Sequence, residues 1–218
     1  RLGPPDGLPS KCEQPRGTTN MDLLAGISPW EAGGFITGLS CVWMVVIGNI
    51  WNFPVGIISC TCFMILFWQQ QLYGEAALQL VFIALGFHGW IHWASSKSTM
   101  ESRKGIGHVQ KTEAVILAVG MVPQTSLLWY ILTGLNGSAP LLDSVITALS
   151  LNAQWLLNRK RVENWVVWIA VDVLTIGLGV WRGMYLLATL YIFYLAMCVA
   201  GWVRWRAEMN PGEAQAHA

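Results

Sequence analysis

From Ala32 to Gly74 the chain runs 43 residues without a Lys, Arg, Asp or Glu. A membrane-crossing helix needs about 20 apolar residues, so this stretch holds two crossings. The string GNIWNFP, Gly48 to Pro54, interrupts it. Proline is tolerated at a helix start and little further in. The pattern therefore predicts a first span over Trp30–Asn49 and a second over Asn52–Gln71. Ala76–Ser96 forms a third. Ala114–Leu142 is again free of charge and predicts a fourth span ending near Gly134–Gly137. The fifth is predicted over Leu141–Asn158, the sixth over Asn164–Trp181 and the seventh over Gly183–Val203. Strands crossing a membrane would alternate polar and apolar residues over about ten positions. These runs are apolar throughout, and helices satisfy their own backbone in lipid.

The chain also resembles itself. Shifted by 112 residues, segment 52–93 lies on 164–205 without a gap, and 11 of its 42 positions are identical. Asn52 falls on Asn164, Tyr73 on Tyr185, Gly89-Trp90 on Gly201-Trp202 and Trp93 on Trp205. Internal repeats determine architecture. The shift carries the second and third spans onto the sixth and seventh, and by extension the first onto the fifth. Four helices separate the copies, an even number, so both triplets face the same way. The expected fold class is an all-α integral membrane protein. Its seven transmembrane helices form two parallel three-helix repeats joined by a linker helix, three plus one plus three. Repeat one covers about residues 30–95, the linker about 110–134 and repeat two about 141–206. Parallel repeats are a transporter architecture, with the substrate between them near the membrane midplane.

Composition supports the spans. Hydrophobic residues make up 54% of the 218 and charged residues 11%, against about 25% charged in soluble domains. A net charge of +1 leaves no basic footprint for nucleic acid. The five cysteines read as buried small hydrophobes rather than as a disulfide framework. Lys97, Arg103, Lys104, Lys111, Arg159, Lys160, Arg161, Arg204 and Arg206 fall on one side, and Arg1, Lys11, Arg16 and Arg182 on the other. Cytoplasmic loops carry the excess of Lys and Arg. The N-terminus is expected outside and the C-terminus inside. Residues 1–20 read either as a disordered tail or as an extension ahead of a start at Met21, and 207–218 read as a disordered tail.

Polar residues inside the spans mark candidate chemistry. Thr147, Ser150, Gln154 and Asn158 recur at i, i+3, i+7 and i+11, one face of the fifth helix. Such a stripe lines a cavity or a helix–helix contact, and the amides favour the cavity. Trp165, Trp168 and Asp172 share one face of the sixth helix. A carboxylate deep in a span costs about 3 kcal/mol, which a partner or a function must offset. Indole rings beside it suit a cationic aromatic ligand. Gln79 and Tyr191 occupy repeat-related positions and suit two sides of one ligand, or two interhelical hydrogen bonds. His88 and His92 have the spacing of a zinc pair, but no third ligand is evident. No metal or cofactor is expected. P-loop, HExxH and GxSxG motifs are absent from the sequence.

The strings WNFPVGII, GWIHW, QWLLNRKRVENWVVWIAVD and GMYLLATLY resemble the PnuC family of bacterial nicotinamide riboside transporters over about residues 30–206. The resemblance implies a fold similar to the SWEET sugar transporters and facilitated diffusion across the inner membrane. It also implies trapping of the imported vitamin by a cytoplasmic kinase. Trp165, Trp168 and Asp172 match the family's Trp-x-x-Trp-x-x-x-Asp/Asn pattern. Asn52, Gln79, Gln154, Asn164 and Tyr191 match polar pocket positions, and Asn158 closes the stripe. The substrate is then a small vitamin, and the other partners are the lipid bilayer and a second copy in a homo-oligomer. A thiamine or riboflavin carrier is the alternative. A membrane-embedded enzyme would need a base and an activated partner, and Asp172 alone is available.

Overall fold

The structure is a computed structural model that describes residues 29–69, 73–95, 105–134, 139–183 and 185–209. The expectations for residues 1–20, and for the tail beyond 209, lie outside the described residues. Seven helices form among the described residues: α1 Pro29–Val46, α2 Asn52–Gln69, α3 Tyr73–Ser95, α4 Lys111–Gly134, α5 Pro140–Asn158, α6 Asn164–Trp181 and α7 Tyr185–Met209. They match the seven expected segments. α2, α3, α4, α6 and α7 each contain a window long and apolar enough to cross a membrane. α1 has a shorter apolar stretch, Ala32–Val46. α5 is missing from that set because its face of Ser, Thr, Asn and Gln lowers its hydropathy. α7 extends beyond the expected Val203 to Met209, where Arg204 pairs with Glu208 at 3.1 Å one turn on.

The first helix ends at Val46, earlier than the expected Asn49. Gly48 adopts φ +67°, the left-handed conformation that closes a helix. The Gly48 N–H donates to Val45 O at 2.9 Å and the Asn49 N–H to Met44 O at 2.8 Å. These are the two bonds of a Schellman cap. At the end of α5 the Lys160 N–H donates to Leu157 O and the Arg161 N–H to Leu156 O, both at 2.9 Å. Lys160 takes φ +53°. The two caps are 112 residues apart, as are the starts of α2 and α6 and of α3 and α7.

α1 packs on α2 and α2 on α3, while α5 packs on α6 and α6 on α7. Two surfaces join the first three helices to the last three, α1 on α7 and α3 on α5. α4 packs on α5 and has no buried residue. The segment before α4 lies against the turn after α5. Gly107 forms an isolated parallel bridge with Arg161, and Glu113 accepts from Arg161 Nε at 3.1 Å and lies 3.4 Å from Arg159. Glu163 accepts from the Val109 N–H at 2.9 Å and pairs with His108 at 2.8 Å.

The densest core lies at one end of the bundle. Val45, Val46, Phe53, Trp93, Leu157, Val162, Trp165, Cys198 and Trp205 form one buried cluster. Phe53 meets Trp93 edge-on at 5.1 Å, and Trp165 meets Trp205 edge-on at 5.4 Å. Both are favourable aromatic geometries. Lys160 lies over Trp93, its Nζ 4.7 Å from the ring centroid. Burial pushes its ammonium below the ordinary lysine range.

Candidate functional site

The expected site residues separate into two groups by depth. Asn52, Asn164, Trp165, Gln154 and Asn158 lie at or near the aromatic end. Asn52 and Asn164 are buried, and each donates from Nδ2 to the carbonyl three residues back, Asn49 O and Arg161 O, at 2.6 Å in both cases. Those bonds tie the entering turn to the helix start. Asn164 Oδ1 and Trp165 Nε1 are buried without a partner. Trp165 is 1% exposed. Its ring fills the space above Gly201, where an added Cβ would lie 2.5 Å from it.

Asn158 is fully buried. Its Nδ2 donates to Leu85 O at 2.8 Å, and its Oδ1 accepts from Gln154 Nε2 at 3.0 Å. Its backbone carbonyl accepts from Trp93 Nε1 at 3.1 Å. The lower part of the α5 polar stripe thus spends its amides on the α3 contact. Ser150 turns back to Ile146 O at 2.8 Å.

The second group lies deeper. Asp172 is eight residues into α6, about 12 Å from its start at 1.5 Å per residue, so it sits near the middle of the span. It is 2% exposed, and its Oδ2 has no hydrogen-bond partner. Cys198 on α7 hydrogen-bonds its carboxyl, and Tyr191 and Tyr194 lie within electrostatic reach of it. The two tyrosine rings meet edge-on at 5.5 Å. Thr175, one turn further along α6, is buried and bonds back to Val171 O at 2.8 Å. Trp168 is half-buried and packs from above on the aromatic cluster. Gln79 is half-buried on α3. The structure brings Asp172 and Tyr191 together, with Trp168 one turn below on the same face.

Tyr194 was missing from the expected set, and it reaches across the bundle to α1. An added Cβ at Gly38 on α1 would lie 2.6 Å from its hydroxyl oxygen and 3.2 Å from Ser59 Oγ. Cys41 and Cys60 also lie within electrostatic reach of Tyr194. The polar cluster is therefore built from α6 and α7 on one side and from α1 and α2 on the other. Tyr191, Tyr194 and Cys198 recur at i, i+3 and i+7, the spacing that makes the α5 stripe visible, but in the sequence only Tyr191 reads as polar, through its repeat-related partner Gln79, and Cys198 reads as a small hydrophobe. A separate cavity of about 260 Å³ opens at the junction of α4 and α5, lined in part by Glu113, Trp155 and Arg159. It lies apart from this cluster. Among the described residues no group of three or more His, Cys, Asp and Glu could hold a metal.

A bundle of apolar helices that buries a carboxyl with one oxygen left without a hydrogen-bond partner, beside two half-buried tyrosines at mid-depth, is built as a multi-pass membrane transporter. Residues 28–207 match the family described as nicotinamide mononucleotide transporter, and the chain belongs to that family, the PnuC transporters. It is 28% identical to the nicotinamide riboside transporter PnuC of Escherichia coli (strain K12), over 80% of this chain and 84% of that one. It is 29% identical to the PnuC of Neisseria mucosa, over 78% and 69%. It is also 27% identical to the riboflavin/roseoflavin transporter RibM of Streptomyces davaonensis, over 82% and 86%. Among solved structures it is similar to the crystal structure of the vitamin B3 transporter PnuC. The TM-score is 0.70 at 27% identity, covering 88% of this chain and 86% of that one. The relatives are transporters, and this protein is a transport protein rather than an enzyme.

Proposed function

We propose that the protein is a facilitated-diffusion importer of nicotinamide riboside in the bacterial inner membrane. The observation that carries this is Asp172: a carboxyl buried at mid-span with a free oxygen and aromatic rings around it. A carboxylate there costs about 3 kcal/mol, and the pyridinium ring of nicotinamide riboside would supply the missing counter-charge. Tyr191 and Trp168 would hold the flat ring, with cation–π attraction of about 2 kcal/mol when dry. Gln79 would read the ribose hydroxyls from the other triplet. Gln154, Asn52, Asn164 and Trp165 would frame the cytoplasmic floor, while Asn158, its amide bonded to Leu85 O and Gln154, would stand behind it.

The same chemistry disfavours the mononucleotide in the family's description. Its phosphate would meet the Asp172 carboxylate, and α2 and α6 contain no Lys or Arg. The architecture we propose is three plus one plus three, as in the SWEET proteins. Two features support it: the packing of the helices maps onto itself under the 112-residue shift, and α4 reverses the chain between the triplets. The N-terminus lies outside and the C-terminus inside. Rocking of one triplet on the other gives alternating access, and phosphorylation by a cytoplasmic kinase keeps the gradient inward.

A riboflavin carrier is the second reading, favoured by the similarity to RibM. Riboflavin is uncharged and has no use for a carboxylate. Calorimetry on the detergent-purified protein with nicotinamide riboside, thiamine and riboflavin separates these readings, alongside uptake into proteoliposomes. Tight binding of the riboside, lost in Asp172→Ala, is the expected result. Riboflavin binding that survives Asp172→Ala would overturn it in favour of the second reading.

A further inference from the structure

The two surfaces that join the first three helices to the last three are related by the 112-residue shift, yet they are fastened differently. At α3–α5, Asn158 Nδ2 donates to Leu85 O at 2.8 Å, and Trp93 Nε1 donates to Asn158 O at 3.1 Å. His88 stacks on Trp155 at 5.5 Å with the rings 11° from parallel. An added Cβ at Gly89 would run into the Asn158 side chain, so α3 has a notch that receives this amide.

At α1–α7 no hydrogen bond joins the two helices among the described residues. Val46 stands where α5 has Asn158. Trp205, the counterpart of Trp93, has its Nε1 buried without a partner. What crosses this surface is apolar packing and the tyrosine hydroxyl seated over Gly38. A buried hydrogen bond whose partner is pulled away leaves an unsatisfied polar group that must be desolvated without compensation, whereas an apolar surface in lipid exchanges one apolar neighbour for another. Relative motion of the triplets therefore costs least when α3–α5 stays closed.

We infer that Asn158 is a positioning residue that pins α3 to α5 as the pivot of the transport cycle, and that the triplets part at α1–α7. The polar cluster around Asp172 lies beneath that surface, so parting it opens the substrate's route. The inference rests on the two-triplet importer described above. It assigns Asn158 to the motion and not to substrate contact.

Two repeat-related pairs of spin labels test it in the cysteine-replaced full chain: Ile47→Cys with Val203→Cys across α1–α7, and Arg159→Cys with Ile91→Cys across α3–α5. Double electron–electron resonance is recorded with and without nicotinamide riboside. A distance that spreads or shifts with ligand for the first pair, and one sharp unchanged distance for the second, is expected. The reverse pattern, or spreading of both, overturns the pivot. If neither pair moves, the pivot and the rocking of triplets both fail, while uptake by the native protein still decides whether it is an importer. In Asn158→Leu, maximal uptake is expected to fall at least fivefold, with the dissociation constant from calorimetry unchanged and the 91/159 distance broadened. A weakened dissociation constant with a sharp 91/159 distance would make Asn158 a substrate contact and overturn the assignment. The labelled pairs keep the test open if that variant does not fold.

Discussion

The starts of α2 and α6 share one plan and differ in how it is filled. Both follow a Schellman turn, at Gly48 and Lys160. Both open on a buried asparagine that bonds back three residues. Both place a ring over a glycine of the third helix in the triplet and edge-on to a tryptophan one turn beyond that glycine. In the first triplet the notch at Gly89 is shared by Phe53 and the Asn158 amide from α5. In the second, the larger Trp165 fills the notch at Gly201 by itself, and the α1 position facing it is Val46. Backbone geometry has been kept while side-chain volume and polarity have been redistributed. The repeat thus supplies a frame, and specialisation lies in unequal partners. Mid-span the same holds: Asp172 has Cys60 as its counterpart, and Tyr191 has Gln79.

The largest expected effect probes that mid-span inequality. Asp172→Ala should abolish saturable uptake and riboside binding, whereas Asp172→Asn should retain measurable binding if hydrogen bonding supplies part of the role. Equal failure of the two variants would assign the whole requirement to charge. Next comes Trp168→Ala, expected to weaken the dissociation constant about thirtyfold, equivalent to ~2 kcal/mol of cation–π contact. Its melting temperature in detergent should stay close to that of the native protein. Unchanged affinity would remove Trp168 from the site.

The two notches can be compared by exchanging their rings. Phe53→Trp overpacks a space already shared with Asn158 and should cost about 1–3 kcal/mol, read as a lower melting temperature. Trp165→Phe leaves a void instead and should be milder. Equal costs would mean that the notches are interchangeable. The smallest effects lie in the two turns. Gly48→Ala forces a side chain into the left-handed region and should cost about 1 kcal/mol. Lys160→Gly relieves that strain but loses the cation over Trp93, worth about 0.5–1 kcal/mol, so its stability should be nearly unchanged.

Much of this frame was legible in the sequence because it depends on local rules. The 112-residue identities place Asn52 with Asn164 and Trp93 with Trp205, and the helices start at corresponding positions. The apolar runs locate the spans, and the isolated acid marks Asp172. Helical periodicity says that Gln154 and Asn158 share a face but not what that face meets. Their amides turn to Leu85 on α3 and to each other, a contact between segments about 70 residues apart. Tyr194 was hidden for a different reason. Its ring is apolar enough to read as core, and its role depends on Gly38, a position where the missing side chain is the feature. The ties of Glu113 to Arg159 and Arg161 also depend on packing and leave no periodic trace.

The strap from Gly107 to Arg161, with the Glu113 ion pairs beside it, loads the inverting helix onto one side of the molecule. If the two halves rock as proposed, four helices on that side push through surrounding acyl chains against three on the other. Viscous drag alone would then make the N-terminal body the faster rotor, leaving its heavier neighbour as the stator.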